Sequence, residues 1–329
     1  MQMKSKKIMV VSLTALIMVF SLSSVSLAKD VVLKLGHIFT PTSCIHNCSQ
    51  MVADLVNKRS KGSLKIDIFP GGQLGAQLDE VEGVKMGTQD ITILGAIDRF
   101  APNFTMFNLP FMYRDMDHCY NVLTGPLGKK YILDDLVKRH GIYVPGFFYF
   151  GVRMLTTDAK HPVTKPADVK GLKLRTPDMK AWIKSWQSIG ANVTAFPWGE
   201  LYMALKQGVV DAQENPLPAI RDMKFYEVQK NIILTRHIYD YTFVMMNNKK
   251  WQSLDKKQQG ILVQALKEGL YYSRGRIARE EAVNTTFFKK KGINIVEVDV
   301  AEWQKAFSKA PDLLSPFGRV KTPTFRWQL

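Results

Sequence analysis

Over residues 31–95 the apolar positions switch back and forth between two periods. Val31, Val32, Leu33 and Leu35 predict a strand over residues 31–37. Between residues 43 and 58, Met51, Val52, Leu55 and Val56 fall on one helical face, and Gly62 ends the run. Leu64-Lys65-Ile66-Asp67-Ile68-Phe69 alternates apolar with polar and stops at Pro70-Gly71-Gly72, which predicts a second strand and a turn. Residues 78–86 predict a helix closed by Gly87, and residues 90–95 a third strand. Strands alternating with helices at this spacing predict a sheet with crossover connections.

The rhythm restarts further on. Residues 143–154 form an apolar, aromatic stretch suited to buried strands. Lys165-Pro166-Ala167-Asp168 has proline and an acid where a helix begins, and Gly171 ends that turn. Strands are predicted over 172–175, 192–196 and 209–214, with helices over 179–188 and 200–207. Residues 241–247 predict one more strand, and 255–291 a helix long enough to brace two units. With no flexible linker between the two α/β units, the expectation is an α/β fold of two lobes joined by several crossing strands, with a cleft between them and a long helix that can brace both. Residues 29–151 with 241–280 are assigned to the first lobe, and 152–240 with 281–329 to the second.

The N-terminus changes the picture. Lys4, Lys6 and Lys7 precede an apolar run over residues 8–22, followed by Ser26-Leu27-Ala28. This is the layout of a secretory signal peptide over residues 1–28, with an apolar run too short for a membrane span. The net charge of +16 could mark a nucleic-acid binder. The charges are scattered, however, with only Lys289-Lys290-Lys291 in a run, and export argues against a nucleic-acid partner. An anionic ligand or an anionic membrane surface fits the excess better. Three cysteines, Cys44, Cys48 and Cys119, do not make a disulfide framework in a chain of 329 residues, and buried thiols are expected.

Enzyme motifs are absent: no Gly-x-Ser-x-Gly elbow, no His-Glu-x-x-His and no Cys-x-x-Cys. His37, Cys44, His46 and Cys48 have metal-ligating side chains in an order that matches no zinc spacing, so neither a metal nor a cofactor is expected. What remains suits a carboxylate. Arg175 ends a predicted strand, where α/β folds bind ligands, and a guanidinium presents parallel donors to both carboxylate oxygens. Arg153 and Asn215 also fall near strand ends.

Gly151-Val152-Arg153, the block from Pro166 to Arg175, and Glu200-Leu201-Tyr202-Met203-Ala204-Leu205 running on to Gln213-Glu214-Asn215-Pro216 resemble the solute-binding proteins of tripartite ATP-independent periplasmic (TRAP) transporters, of the DctP type. Phe69-Pro70-Gly71-Gly72-Gln73-Leu74-Gly75 resembles the family's early turn. The resemblance runs to about Trp303. It implies a periplasmic-binding-protein-like fold whose lobes close on a small organic acid, and delivery to membrane permease subunits driven by an ion gradient. It implies further that Arg175 clamps the carboxylate, that Arg153 is a second arginine, and that Asn215 lies in the cleft. Trp198 would stand against the ligand, His37 and the Gly95-Ala96-Ile97 loop would face it from the first lobe, and Tyr239 would line the hinge side. Two departures stand out: Asp178, an acid where some relatives offer an amide, and an atypical tail after about Leu314. A sugar acid or hydroxy acid is the favoured ligand. Trp182, Trp186, Phe196 and Trp198 would also suit an aromatic or indolic acid, and a periplasmic enzyme with His37 as base or a sensor subunit are the other readings.

Overall fold

The structure is a computed structural model and describes residues 30–310; the expected leader and the atypical tail lie outside them. One mixed sheet of nine strands runs through the molecule in the order β2-β1-β3-β8-β4-β7-β5-β6, with β9 on the far half of β8. The strands are β1 (Val31–Gly36), β2 (Leu64–Phe69), β3 (Ile91–Leu94), β4 (Ile142–Thr157), β5 (Lys173–Thr176), β6 (Asn192–Ala195), β7 (Ala212–Pro216), β8 (Asn231–Asn247) and β9 (Asn294–Val296). β1 pairs in parallel with β2 and β3, and β5 with β6 and β7, as the crossover rhythm predicted. The alternation read in β2 is that of a half-buried strand: Leu64 and Ile66 point inward, Lys65 and Asp67 outward.

One strand is far longer than the sequence pattern suggested, and another runs slightly past it. β4, expected over residues 143–154, and β8 pair antiparallel from Ile142 opposite Asn247 to Thr157 opposite Asn231, so each runs through both lobes. The expected strand over 241–247 is only the last part of β8. Polar residues before that part (Thr235, His237, Asp240) broke the apolar signal, and all three are buried. The ladder shifts register between Tyr149 and Gly151 and again between Arg153 and Leu155. Gly151 sits at φ +125°, where a Cβ would lie 2.8 Å from that of Pro216. Bulges of this kind bend strands and re-aim side chains, and here they fall where the lobes meet.

Apolar packing separates along the same line. One core gathers Leu33, Val52, Ile93, Phe148 and Phe243. Beyond the crossing lie two others, around Leu201, Phe225 and Phe288 and around Leu174, Trp186 and Trp303. The helix Lys256–Lys290, of 35 residues and about 50 Å at 1.5 Å per residue, spans them. Asp255 starts it with a reciprocal capping box to Gln258. Its Leu262, Leu266 and Leu270 enter the first core and its Phe288 the second. Segment 102–140, which carried no clear pattern, folds as short helical pieces, among them Met116–Thr124 and Asp134–His140. Among the described residues no helix is long and apolar enough to cross a membrane.

The long helix rides close on β4 because Gly269 has no side chain: a Cβ there would sit 2.6 Å from the Phe148 ring and 3.0 Å from Val52. Gly269→Ala gains about 1 kcal/mol of helix propensity but forces overpacking that costs about 1–3 kcal/mol. We expect the substitution to lower the denaturant midpoint with the slope unchanged.

Candidate functional site

The carboxyl ends of the parallel strands converge on one cavity between the lobes, as α/β sheets place their ligands. Ile38 and Phe39 follow β1, Gly95 and Ala96 follow β3, Pro177 follows β5, and Trp198 follows β6. Arg175 and Asn215 stand within the ends of β5 and β7, and Arg153, Asp240 and Thr242 come from the crossing strands. Gln77, Phe150 and Trp182 complete the wall. The cavity holds about 50 Å³ and is partly open to solvent, room for a few waters and too little for a six-carbon acid. Arg175, on its wall, is 2 % exposed.

The two arginines differ in kind. Arg153 is satisfied by protein. Its Nε donates to Glu214 Oε2 at 2.5 Å and its Nη1 to Asp240 Oδ2 at 2.7 Å. Its Nη2 donates to Glu214 Oε1 at 2.9 Å, to the Glu214 carbonyl at 2.7 Å and to Asn215 Oδ1 at 3.0 Å. The Trp182 ring covers the guanidinium at 4.3 Å, and the indole nitrogen donates to the Asn108 carbonyl at 2.9 Å. Burial opposes charge on Glu214, but Arg153 and His237 outweigh it and hold the carboxyl below its usual range. His237 Nε2 lies 3.0 Å from Glu214 Oε2. Only the tautomer protonated at Nε2 suits a carboxylate there, which leaves Nδ1 to accept from Thr235 Oγ1 at 2.8 Å.

Arg175 is not satisfied. Nε and Nη2 donate to the Phe196 carbonyl at 3.1 and 2.7 Å, while Nη1 is buried with no partner among the described residues. Burial, with no carboxylate in contact, pushes its pKa down to about 9, and Arg153 lowers it further while Glu214 partly restores it. The rings of Phe196 and Trp198 stand 5.6 and 6.0 Å from the guanidinium. Trp198 Nε1 is a second buried donor without a partner. A buried cation with a free donor costs several kcal/mol unless an anion meets it. Chemically, the wall is set to receive one.

Of the residues the sequence singled out, Arg175, Arg153, Asn215 and Trp198 lie on this wall, as do Gly95 and Ala96 of the first-lobe loop. His37, Tyr239 and Asp178 do not. His37 is fully buried, with Nε2 3.2 Å from His46 Nδ1, and burial together with His46 lowers its pKa to about 4. Tyr239 is half-buried against the first core, and Asp178 is exposed. The acid on the wall is instead Asp240, which sequence reasoning passed over together with Glu214 and His237. Their only signal was polarity inside a stretch that had to be strand. Cys44 and Cys48 are buried, unbonded thiols with sulfurs 3.9 Å apart, and Cys119 is likewise free.

Two lobes on a shared pair of crossing strands, a spanning helix and a cationic cavity between them define an extracytoplasmic-type solute-binding protein. Residues 35–314 match the model of the bacterial extracellular solute-binding proteins, family 7. The chain is 33 % identical over 298 residues to the 2,3-diketo-L-gulonate-binding periplasmic protein YiaO of Escherichia coli, covering 88 % of this chain and 87 % of that one. It is similar to a TRAP periplasmic solute-binding protein of Roseobacter denitrificans solved with bound L-galactonate, at TM-score 0.82 and 29 % identity over 88 % of this chain and 96 % of that one. It is similar also to one of Desulfovibrio salexigens with bound orotic acid, at TM-score 0.80 and 31 % identity over 85 % and 89 % of the two chains. The chain belongs to family 7, the solute-binding proteins of TRAP transporters.

The contrast between the arginines is testable without a ligand. Arg153→Ala strands Glu214 and Asp240 and should cost about 3–5 kcal/mol of folding stability. Arg175→Ala removes a buried, unpaired charge and should leave stability unchanged or raise it. Urea denaturation of the two variants beside the parent measures both.

Proposed function

We propose that this protein captures a hydroxylated carboxylate, a sugar acid or short hydroxy acid, outside the cytoplasmic membrane and hands it to TRAP permease subunits driven by an ion gradient, without chemistry on the ligand. The observation that carries the reading is the buried, unpartnered Nη1 of Arg175 on the wall of the cleft. A carboxylate there gains charge-assisted hydrogen bonds in a dry site.

The rest of the wall supports a ligand with hydroxyls. Gln77, Thr242 and Asn215 offer neutral polar groups, while Phe39, Phe150, Trp182 and Trp198 supply flat apolar faces. Asp240 sets the sign. Burial raises its carboxyl to about 6 even though Arg153 lowers it, so at neutral pH it is mostly ionised. An anion on the wall accepts from a hydroxyl and repels a second carboxylate. The relatives with 2,3-diketo-L-gulonate and L-galactonate in their names point the same way. A base role for His37 finds no support, because its ring is held away from the cavity.

The test is a thermal-shift screen of the chain from Lys29 onward against sugar acids, short hydroxy and keto acids, dicarboxylates and aromatic acids, each beside its uncharged analogue. A bound acid at a hundred times its dissociation constant adds about 2.7 kcal/mol to the folded state. We expect hydroxy acids to raise the melting temperature and the neutral analogues not to. Arg175→Ala should lose about 2–5 kcal/mol of that binding. A shift by aromatic acids alone would replace the hydroxy-acid reading, and an undiminished shift in Arg175→Ala would remove the clamp.

A further inference from the structure

Helix Lys180–Ser188 belongs by connectivity to the second lobe, between β5 and β6, yet its first turn packs on the first lobe. Met179, Ala181 and Trp182 belong to the first lobe's core. Asn108 of the first lobe receives the Trp182 indole N–H on its carbonyl at 2.9 Å and approaches Met179 Sδ through Nδ2 at 3.8 Å. The helix has no side-chain cap of its own at Met179. Its first backbone N–H, on Lys180, is instead met by Asp98 Oδ2 at 2.6 Å, a carboxylate on the loop that follows β3. The cap therefore crosses the cleft. When the lobes part, Asp98 returns to water.

This cross-cleft contact is incomplete. Asp98 is 7 % exposed, and its Oδ1 has no partner. The neighbouring charges do not compensate: Asp178, at the same helix end, is a like charge, while Lys180 and Arg99 are exposed residues that offer the carboxylate backbone N–H groups only. Backbone N–H groups of Lys180, Arg99 and Asp98 itself and a helix dipole worth about 0.3–1 kcal/mol offset only part of burying a carboxylate.

We propose that Asp98 is a brake on lobe closure: an under-paired carboxylate that must be desolvated each time the first lobe meets helix Lys180–Ser188, so that in acid closing takes up a proton and at neutral pH the ionised acid biases the empty protein toward the open form. The inference rests on the reading of the cavity as a cleft that opens and closes. Its use would be to keep the binding-competent open form populated until an acid on Arg175 supplies the missing closing energy. Burial raises the Asp98 carboxyl to about 6, Asp178 raising it further while the Lys180 N–H pulls it down. A carboxyl whose value is raised on closing favours the closed form below its open-form value, and that advantage is lost as pH rises through about 6. Asp240, also raised to about 6, is paired to Arg153 within the crossing strands; Asp222, raised to about 6 by burial and Glu280, lines a second cavity between Phe39–Ile45 and Pro218–Met223, and Asp98→Asn leaves both in place.

The experiment is an inter-lobe distance measurement by double electron–electron resonance with no acid added. Spin labels go on Met106→Cys, an exposed position beside Asn108, and Gln187→Cys, exposed on the far end of the helix. The three native thiols are buried and stay unlabelled. In the parent, the ratio of short to long distances should rise roughly tenfold from about pH 7.5 to about pH 5, the linkage expected for this group. Asp98→Asn should shift the protein toward the short distance at both pH values and flatten the dependence. Asp178→Asn, at an exposed position where folding is not at stake, should move the ratio the same way by less. A distance that pH does not move, an Asp98→Asn protein that keeps the parent's full pH response, or one that opens further would overturn the brake; if Asp98→Asn does not fold, Asp178→Asn and the parent's pH response decide. Lobes that respond as described while no carboxylate stabilises the protein would keep the brake and remove the ligand reading.

Discussion

Three strands meet at the guanidinium of Arg153. From β4 it reaches Glu214 and Asn215 on β7 and Asp240 on β8, and His237 closes the group from the other side of Glu214. All five side chains are buried. A network of this kind is worth little as net stability, because desolvation of its charges nearly cancels their attraction. What it does is fix geometry: each partner is intolerable without the others, so the strands can meet in only one register. The crossing point of the two lobes is thereby locked, and everything the cavity presents is placed relative to it.

That lock explains why two arginines near one cavity have opposite roles. Arg153 has spent its donors on the strands and lends the wall a fixed charge pattern, with Asp240 facing the space. Arg175 lies on β5, beyond β7, where among the described residues its guanidinium meets only the Phe196 carbonyl. Its Nη1 is left as a surplus donor, and the proposed capture of an anion draws on that uncompensated charge. Asp98 repeats the theme with the opposite sign on the far side of the cleft, where its Oδ1 is buried without a partner among the described residues.

How legible this was depends on the length scale of the signal. The repeating units, the parallel pairing in each lobe, the long helix and its cap at Asp255 follow from local periodicity and turn chemistry, and the matches at β2 and at helix Cys44–Ser60 are close. β8 was cut short in the reading because its middle carries Thr235, His237 and Asp240, polar residues that break an apolar pattern. They are tolerated there because Arg153 and Glu214, on strands far apart in sequence, pair with Asp240 and His237, and His237 with Thr235. The site divided in the same way. Arg175 and Asn215 stand at strand ends and could be placed from topology, Trp198 came from the family resemblance, and Glu214 and Asp240 have meaning only as partners.

By itself the sequence determined the class of fold, an arginine at a strand end, and, through the blocks around Arg175 and Asn215, membership of the family. The fold class and the strand-end position rest on spacing within some tens of residues, where backbone geometry alone decides which side chains share a face. Only the tertiary structure decided that Arg153 is tied off and Arg175 is not, that His37, Tyr239 and Asp178 stand away from the cavity, and that Asp240 rather than Asp178 supplies its negative charge. Which donor is left over is a property of the whole hydrogen-bond account, and that account closes only when strands from both lobes have been brought together.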